Sequence, residues 1–233
     1  MIQVIRSDDR HFQDFGWLQT YWHFSFDSYH DPKNVHWGAL RVFNDDVIQP
    51  GQGFPMHGHR DMEIVTCVLQ GALEHRDGMG NHGVIQPGEV QVMSAGSGVT
   101  HSEFNHSKDE PVHLLQLWVF PRTKNQAPRW EQKQFKQADR AGKLFPVVSG
   151  ANGHGTLQID QDATIYLSSL KNGQEVVHHS AAGRKSYLFL IAGSVTVKNQ
   201  ALAAGDQARI SEEKELAIRA KDDAELILLD LPD

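Results

Sequence analysis

A single cysteine, Cys67, occurs in the 233 residues. No intramolecular disulfide can therefore brace the chain, and the thiol lies in an apolar, strand-like stretch where a buried structural role is expected. Long hydrophobic runs are missing too. The longest, 187–192 and 226–229, fall far short of the roughly 20 residues that cross a bilayer as a helix. The first ten residues carry Arg6, Asp8, Asp9 and Arg10 without an extended apolar segment, so no secretory signal is expected and the cytoplasm is the default location. Nor is there a sustained basic run: 22 Lys and Arg stand against 29 Asp and Glu, a net charge of −7, which argues against nucleic-acid binding driven by charge.

What is present is a 39% apolar composition, enough for a packed core, punctuated by 20 Gly and 9 Pro. Few stretches between 54 and 120 sustain a helical period; short β-rich runs alternate with turn clusters, which predicts an all-β chain. Strands are expected over 62–69, 72–76, 84–86, 90–94 and 113–119. Asp77-Gly78-Met79-Gly80-Asn81 reads as a hairpin turn that needs positive φ. Ala95-Gly96-Ser97-Gly98 is expected to let the backbone approach a site closely. A polar, Pro-containing stretch over 121–135 reads as an interdomain connection, with the boundary near residue 130. Beyond it the rhythm repeats, with strands expected over 163–170, 173–178, 187–192, 193–198 and 225–230, which suggests a duplicated fold.

Two phrases carry the chemistry: His57-Gly58-His59 and His101-Ser102-Glu103. On a strand, residues i and i+2 share a face and stand about 6.6 Å apart, so two such strands side by side converge four donors on one point. Three neutral imidazoles and one carboxylate suit a borderline divalent transition metal and leave coordination positions open. The alternative is four solvated polar side chains on a barrel rim. His11, His23, His30, His36, His75, His82, His106, His113 and His154 have no partner at ligand spacing, and surface or hydrogen-bonded roles are expected for them. His178 and His179 are adjacent, so on a strand they face opposite ways and cannot chelate as the first pair does.

The run Gly51-Gln52-Gly53-Phe54-Pro55-Met56-His57-Gly58-His59-Arg60-Asp61-Met62-Glu63, continuing to Gly71, resembles the first cupin motif. Gly88 through Gly98-Val99-Thr100-His101 to Asn105 resembles the second. Phe24-Ser25-Phe26, Asp31-Pro32, Leu40-Arg41-Val42 and Asn44-Asp45-Asp46, with His101-Ser102-Glu103-Phe104-Asn105, are similar to the pirin family within the cupins, closely over 15–120 and loosely beyond. The resemblance implies a bicupin: a metal-binding barrel over 1–130 and a second barrel over 131–233, expected to be metal-free. It implies His57, His59, His101 and Glu103 as ligands of one divalent metal, iron foremost, with copper, zinc, nickel, cobalt or manganese as alternatives. The general cupin pattern draws a carboxylate ligand from near Glu63. With Glu103 already present, a supporting or structural role is expected for Glu63.

The resemblance further implies a quercetin 2,3-dioxygenase activity, in which dioxygen cleaves the central ring of a flavonol or similar aromatic enol with loss of carbon monoxide. Glu103 is then both ligand and the base that takes the enol proton. A different class stays open, a metal-dependent regulatory module that works through a protein partner. So does a third, a non-redox isomerase or hydrolase using the metal as a Lewis acid. Neither a membrane nor direct contact with nucleic acid enters any of the three readings.

Overall fold

The computed structural model describes residues 1–151 and 155–233; His154 lies outside the described residues. Strands make up 57% and helix 3%. The first half contains β1 (Ile2–Ile5), β2 (His11–Asp14), β3 (Leu18–Trp22), β4 (Leu40–Ile48), β5 (Gly53–His59), β6 (Glu63–Gln70), β7 (Leu73–Asp77), β8 (His82–Ile85), β9 (Glu89–Ser94), β10 (Val99–Asn105), β11 (Val112–Val119) and β12 (Arg129–Gln134). After the short helix α1 (Gln137–Arg140) come β13 (Phe145–Ser149), β14 (Leu157–Gln158), β15 (Thr164–Leu170), β16 (Glu175–His179), β17 (Lys185–Ala192), β18 (Ser194–Val197), β19 (Gln200–Ala203), β20 (Gln207–Ser211), β21 (Glu215–Ala220) and β22 (Ala224–Leu231). Among the described residues, no helix is long and apolar enough to cross a membrane.

Each half builds one large and one small sheet. The first pairs β12-β9-β6-β11-β4-β3-β2 with β5-β10-β7-β8; the second pairs β1-β20-β17-β22-β15-β13-β14 with β16-β21-β18-β19. Two strands depart from a simple division of the chain at residue 130. β1 crosses over to pair with β20 in the second half. β12, within the stretch read as a connection, is a paired strand against β9. Its sequence, Arg-Trp-Glu-Gln-Lys-Gln, has one large apolar residue, so hydrophobic patterning does not reveal it.

The two large sheets face each other. Odd-numbered residues of the first, such as Phe43, Val65, Cys67, Leu115 and Leu117, pack against Ile165, Leu167, Tyr187, Phe189, Ile227 and Leu229 of the second in one buried cluster. Cys67 is buried there, and burial pushes its thiol up to about 12, the structural role expected for it. The other face of each large sheet turns inward to its own barrel. In the second barrel the interior is a continuous apolar cluster that includes Leu188, Leu190, Leu216, Ile218, Leu226 and Leu228. In the first it is divided. Leu18, Ile48, Val68, Leu73, Ile85, Val112 and Leu114 form one group; Ile64, Met93, Ala95 and Val99 form another.

Between those two groups runs a belt of polar side chains in register across four strands. Asn44 pairs with Gln116, Gln116 with Thr66, and Thr66 with Gln91. All but Gln116 are buried, and Gln116 is half-buried. A buried polar row costs stability unless its groups are hydrogen-bonded, so its partners show what it is for.

Candidate metal centre

β5 and β10 are direct neighbours in the small sheet, with His101 opposite His57 and Val99 opposite His59. The register then slips: Glu103 pairs with Phe54, so β5 holds one residue more than β10 over this interval. This bulge occurs at Pro55-Met56. Pro55 has no N–H to offer the ladder, and its carbonyl oxygen accepts a hydrogen bond from His57 Nδ1 at 2.8 Å. His57 Nε2 is thereby left free to coordinate. Gly53 closes the bulge because nothing larger fits: a Cβ there would lie 2.2 Å from the Glu103 carbonyl oxygen.

The structure brings His57, His59 and His101 together, with one ring nitrogen of each within 4.8 Å of the others. Glu103 joins through His101, in a second group that contains His75 instead of His57 and His59. Burial, reinforced by the neighbouring imidazoles, pushes both His59 and His101 down to about 3, so both are neutral across the physiological range. Burial also raises Glu103, against the pull of its hydrogen bond from Gln116. Three buried atoms here have no hydrogen-bond partner, His75 Nε2, His101 Nε2 and Glu103 Oε1. Neutral imidazoles with a free carboxylate oxygen and an unpaired ring nitrogen fit a single divalent metal.

The polar belt holds this centre from behind. Trp118 Nε1 donates to Gln116 Oε1 (3.1 Å), and Gln116 Nε2 donates to Glu103 Oε2 (2.8 Å). Trp130 Nε1 donates to Gln91 Oε1 (2.8 Å), and Gln91 Nε2 reaches His75 Nδ1 (3.4 Å). His75, for which a surface or hydrogen-bonded role is expected, is hydrogen-bonded and fully buried against His101, with ring centroids 5.2 Å apart. The missed signal was His75-Arg76-Asp77, which has the same i, i+2 spacing as the two phrases already singled out. Glu63 lies on the opposite face of β6, where its Oε2 accepts from Ser94 Oγ at 2.6 Å and Arg129 stands nearby. It lies between the barrels, beside Asp160 of the second half. Of the two glycines expected to let backbone approach the site, Gly96 has φ +48° and packs against the Gln126 carbonyl, whereas Gly98 lies against the His59 carbonyl and the Arg60 side chain. His178 and His179 do face opposite ways. His178 is buried with Nε2 3.3 Å from Asp230, and His179 is exposed.

Beside the centre lies an apolar cavity of about 370 Å³, lined by Phe15, Trp17, Leu18, Trp22, Phe26 and Phe54, with Asn44 and Asp46 at its polar end. Phe54 approaches His57 at 6.2 Å. Phe26 meets Trp118, whose ring lies 4.9 Å from that of His59. Asp46 is buried, and desolvation raises its carboxyl to about 7.

The chain matches two family models, Pirin over residues 5–119 and the quercetinase C-terminal cupin domain over residues 146–231. A pirin-like protein of Caulobacter vibrioides is 45% identical over 218 residues, covering 93% of this chain and 94% of that protein. A quercetin 2,3-dioxygenase of Escherichia coli K12 is 40% identical over 232 residues, covering 100% and 99%. Among solved structures, the bacterial pirin YhhW of Escherichia coli in complex with nickel(II) superposes with a TM-score of 0.95 at 39% identity, covering 100% of this chain and 99% of that one. With the same two-barrel architecture, a donor cluster in the first barrel and both family models matched, this chain belongs to the pirin family of cupins.

Proposed function

We propose that the chain is a metal-dependent dioxygenase acting on a flavonol or a similar small aromatic enol, with His57, His59, His101 and Glu103 holding one divalent metal, iron in the native state. The observation that carries this reading is the pairing of unpartnered His101 Nε2 and Glu103 Oε1 with a cluster of neutral imidazoles beside an aromatic cavity. Relatives named quercetin 2,3-dioxygenase and a nickel-bound relative support it. Bound there, a redox-capable metal supplies a Lewis acid and a path for electrons to dioxygen.

The chain's own groups do the rest. Gln116 donates to Glu103 Oε2, so ligation and proton acceptance both fall to Oε1, and taking the enol proton would weaken Glu103 as a ligand. Burial raises the basicity of that carboxylate and readies it for the task. Phe54, Trp22 and Phe26 offer ring faces and edges to an aryl group, and Asn44 and Asp46 offer polar contacts to its hydroxyls. Metal analysis of protein purified without tag or added metal, combined with oxygen uptake and carbon monoxide release on a flavonol panel, tests this. Iron with stoichiometric oxygen uptake is the expected result. Zinc alone, with no oxygen uptake by iron-reconstituted protein, contradicts it and favours the Lewis-acid class.

A further inference from the structure

We infer that Trp130, Gln91 and His75 form a relay that sets the tautomer of His101 and so presents its Nε2 lone pair to the metal. The inference rests on the metal-centre reading above and adds positioning residues to it. Trp130 sets the direction of the relay, because an indole N–H can only donate. The atom 2.8 Å from Trp130 Nε1 is therefore the Gln91 oxygen, and the amide nitrogen is the group that faces His75 Nδ1. An amide nitrogen donates, so His75 Nδ1 must accept. The His75 proton is then on Nε2, directed at Asp77 Oδ2 at 3.6 Å, with both side chains buried.

Asp77 is held for this by the hairpin turn that follows it. Its Oδ1 accepts from the backbone N–H groups of Met79 and Asn81, and its Oδ2 from Asn81 Nδ2, all at 2.8–2.9 Å. The other neighbour of His75 Nδ1 is His101 Nδ1, at 3.4 Å. Since His75 Nδ1 is an acceptor, His101 Nδ1 carries the proton of that contact. Two donors share one lone pair, in keeping with the length of both contacts. His101 Nε2 is left unprotonated and without a hydrogen-bond partner; His75 Nε2 also has none, its contact with Asp77 at 3.6 Å being an ion-pair distance between buried side chains. Metal-ligating histidines are ordinarily oriented through the other ring nitrogen by a carboxylate or carbonyl. Here the carboxylate acts through an intervening imidazole, and Gln91 decides which way that imidazole is protonated.

The test uses long-range proton–nitrogen correlation spectra of the imidazoles in metal-free, nitrogen-15-labelled protein, together with nickel(II) affinity by competition titration. In the wild type, the expected proton positions are Nδ1 for His101 and Nε2 for His75. Gln91→Glu replaces the donor with a carboxylate acceptor, so His75 Nδ1 should gain a proton while Nε2 keeps the one facing Asp77, His101 should carry its proton on Nε2, and nickel affinity should fall by about 10–100-fold. Trp130→Phe keeps a ring against His75 but frees the Gln91 amide to turn, so mixed tautomers and a smaller loss are expected. A wild-type His101 protonated on Nε2 would overturn the relay, as would unchanged tautomers and affinity in both variants. So would His75 among the nickel ligands by X-ray absorption. Failure of nickel to bind wild-type protein contradicts the metal centre itself and is read independently of the tautomer spectrum.

Discussion

The two barrels share a layout of one seven-stranded and one four-stranded sheet, yet their interiors are built differently. In the second, a row across the large sheet reads Tyr166, Leu228, Leu188, Ala208, and the inward residues of β21 are Leu216, Ile218 and Ala220. In the first, a row across the large sheet reads Asn44, Gln116, Thr66, Gln91, and β10 turns His101 and Glu103 inward. One architecture thus serves as a filled core in one copy and as a lined chamber in the other. The chamber gives up buried apolar contact, and the face-to-face packing of the two large sheets offsets that loss. On this account the second barrel and the interface between barrels supply stability, and the first supplies chemistry.

Removing the donors should break the comparison most sharply. His57→Ala, His59→Ala and His101→Ala should each lower nickel(II) affinity by more than the roughly 10–100-fold of an outer-shell change. Far-UV circular dichroism should be unchanged, because apolar strands and not the metal hold the barrel together. Loss of β signal at ambient temperature would make the metal structural. In the second barrel the effect should reverse. Leu228→Ala should cost about 2–5 kcal/mol by chemical denaturation and leave metal affinity intact.

The two carboxylates sharpen the comparison within the first barrel. At equal metal occupancy, Glu103→Gln should lower flavonol turnover by about 100-fold or more, a typical general-base contribution. Glu63→Gln should cost far less, since Glu63 faces the other barrel. Full turnover in Glu103→Gln with none in Glu63→Gln would reverse their roles.

Smaller effects follow from the polar belt and from pH. Thr66 Oγ1 is buried without a partner, so Thr66→Val should stabilise the protein, by about 1 kcal/mol. One buried carboxyl in each barrel should also respond to pH with opposite sign. Asp46 in the first is raised by desolvation to about 7. The folded state therefore binds its proton more tightly than the unfolded state, and stability falls as pH rises from about 4 to 7. In the second barrel burial opposes ionisation of Asp230, but His178 and Arg184 prevail and hold its carboxyl below the ordinary value of 3.8. Its contribution is present above pH 4 and is lost as pH falls below it. Asp46→Asn should flatten the neutral limb of a stability–pH curve, and Asp230→Asn the acid limb.

Much of this was legible in the residues. The i, i+2 spacing of His57 with His59 and of His101 with Glu103 placed both pairs on strands, and alternation located strands close to β6, β7, β9, β11, β17 and β22. His75 and Asp77 carried the same spacing but lay just before a hairpin turn, where Asp77 reads first as a turn residue. β12 was illegible because Trp130 is its only large apolar residue, and that residue proves to orient Gln91. The crossing of β1 into the second sheet leaves no trace in the local pattern, since Ile2 and Val4 would suit an edge strand of either barrel. The polar belt was hidden for a related reason: nothing local to Asn44, Thr66, Gln91 and Gln116 shows that register aligns them in one inward row.

The central claim is that the first barrel alone is built as a metal chamber. The most direct test is nickel stoichiometry by equilibrium titration of the metal-free protein, repeated on His101→Ala and on the double variant His178→Ala, His179→Ala. The account predicts one equivalent per chain for the wild type, one for the His178/His179 variant, and loss of tight binding in His101→Ala. Two equivalents in the wild type, or binding lost with His178 and His179 and retained without His101, would contradict it.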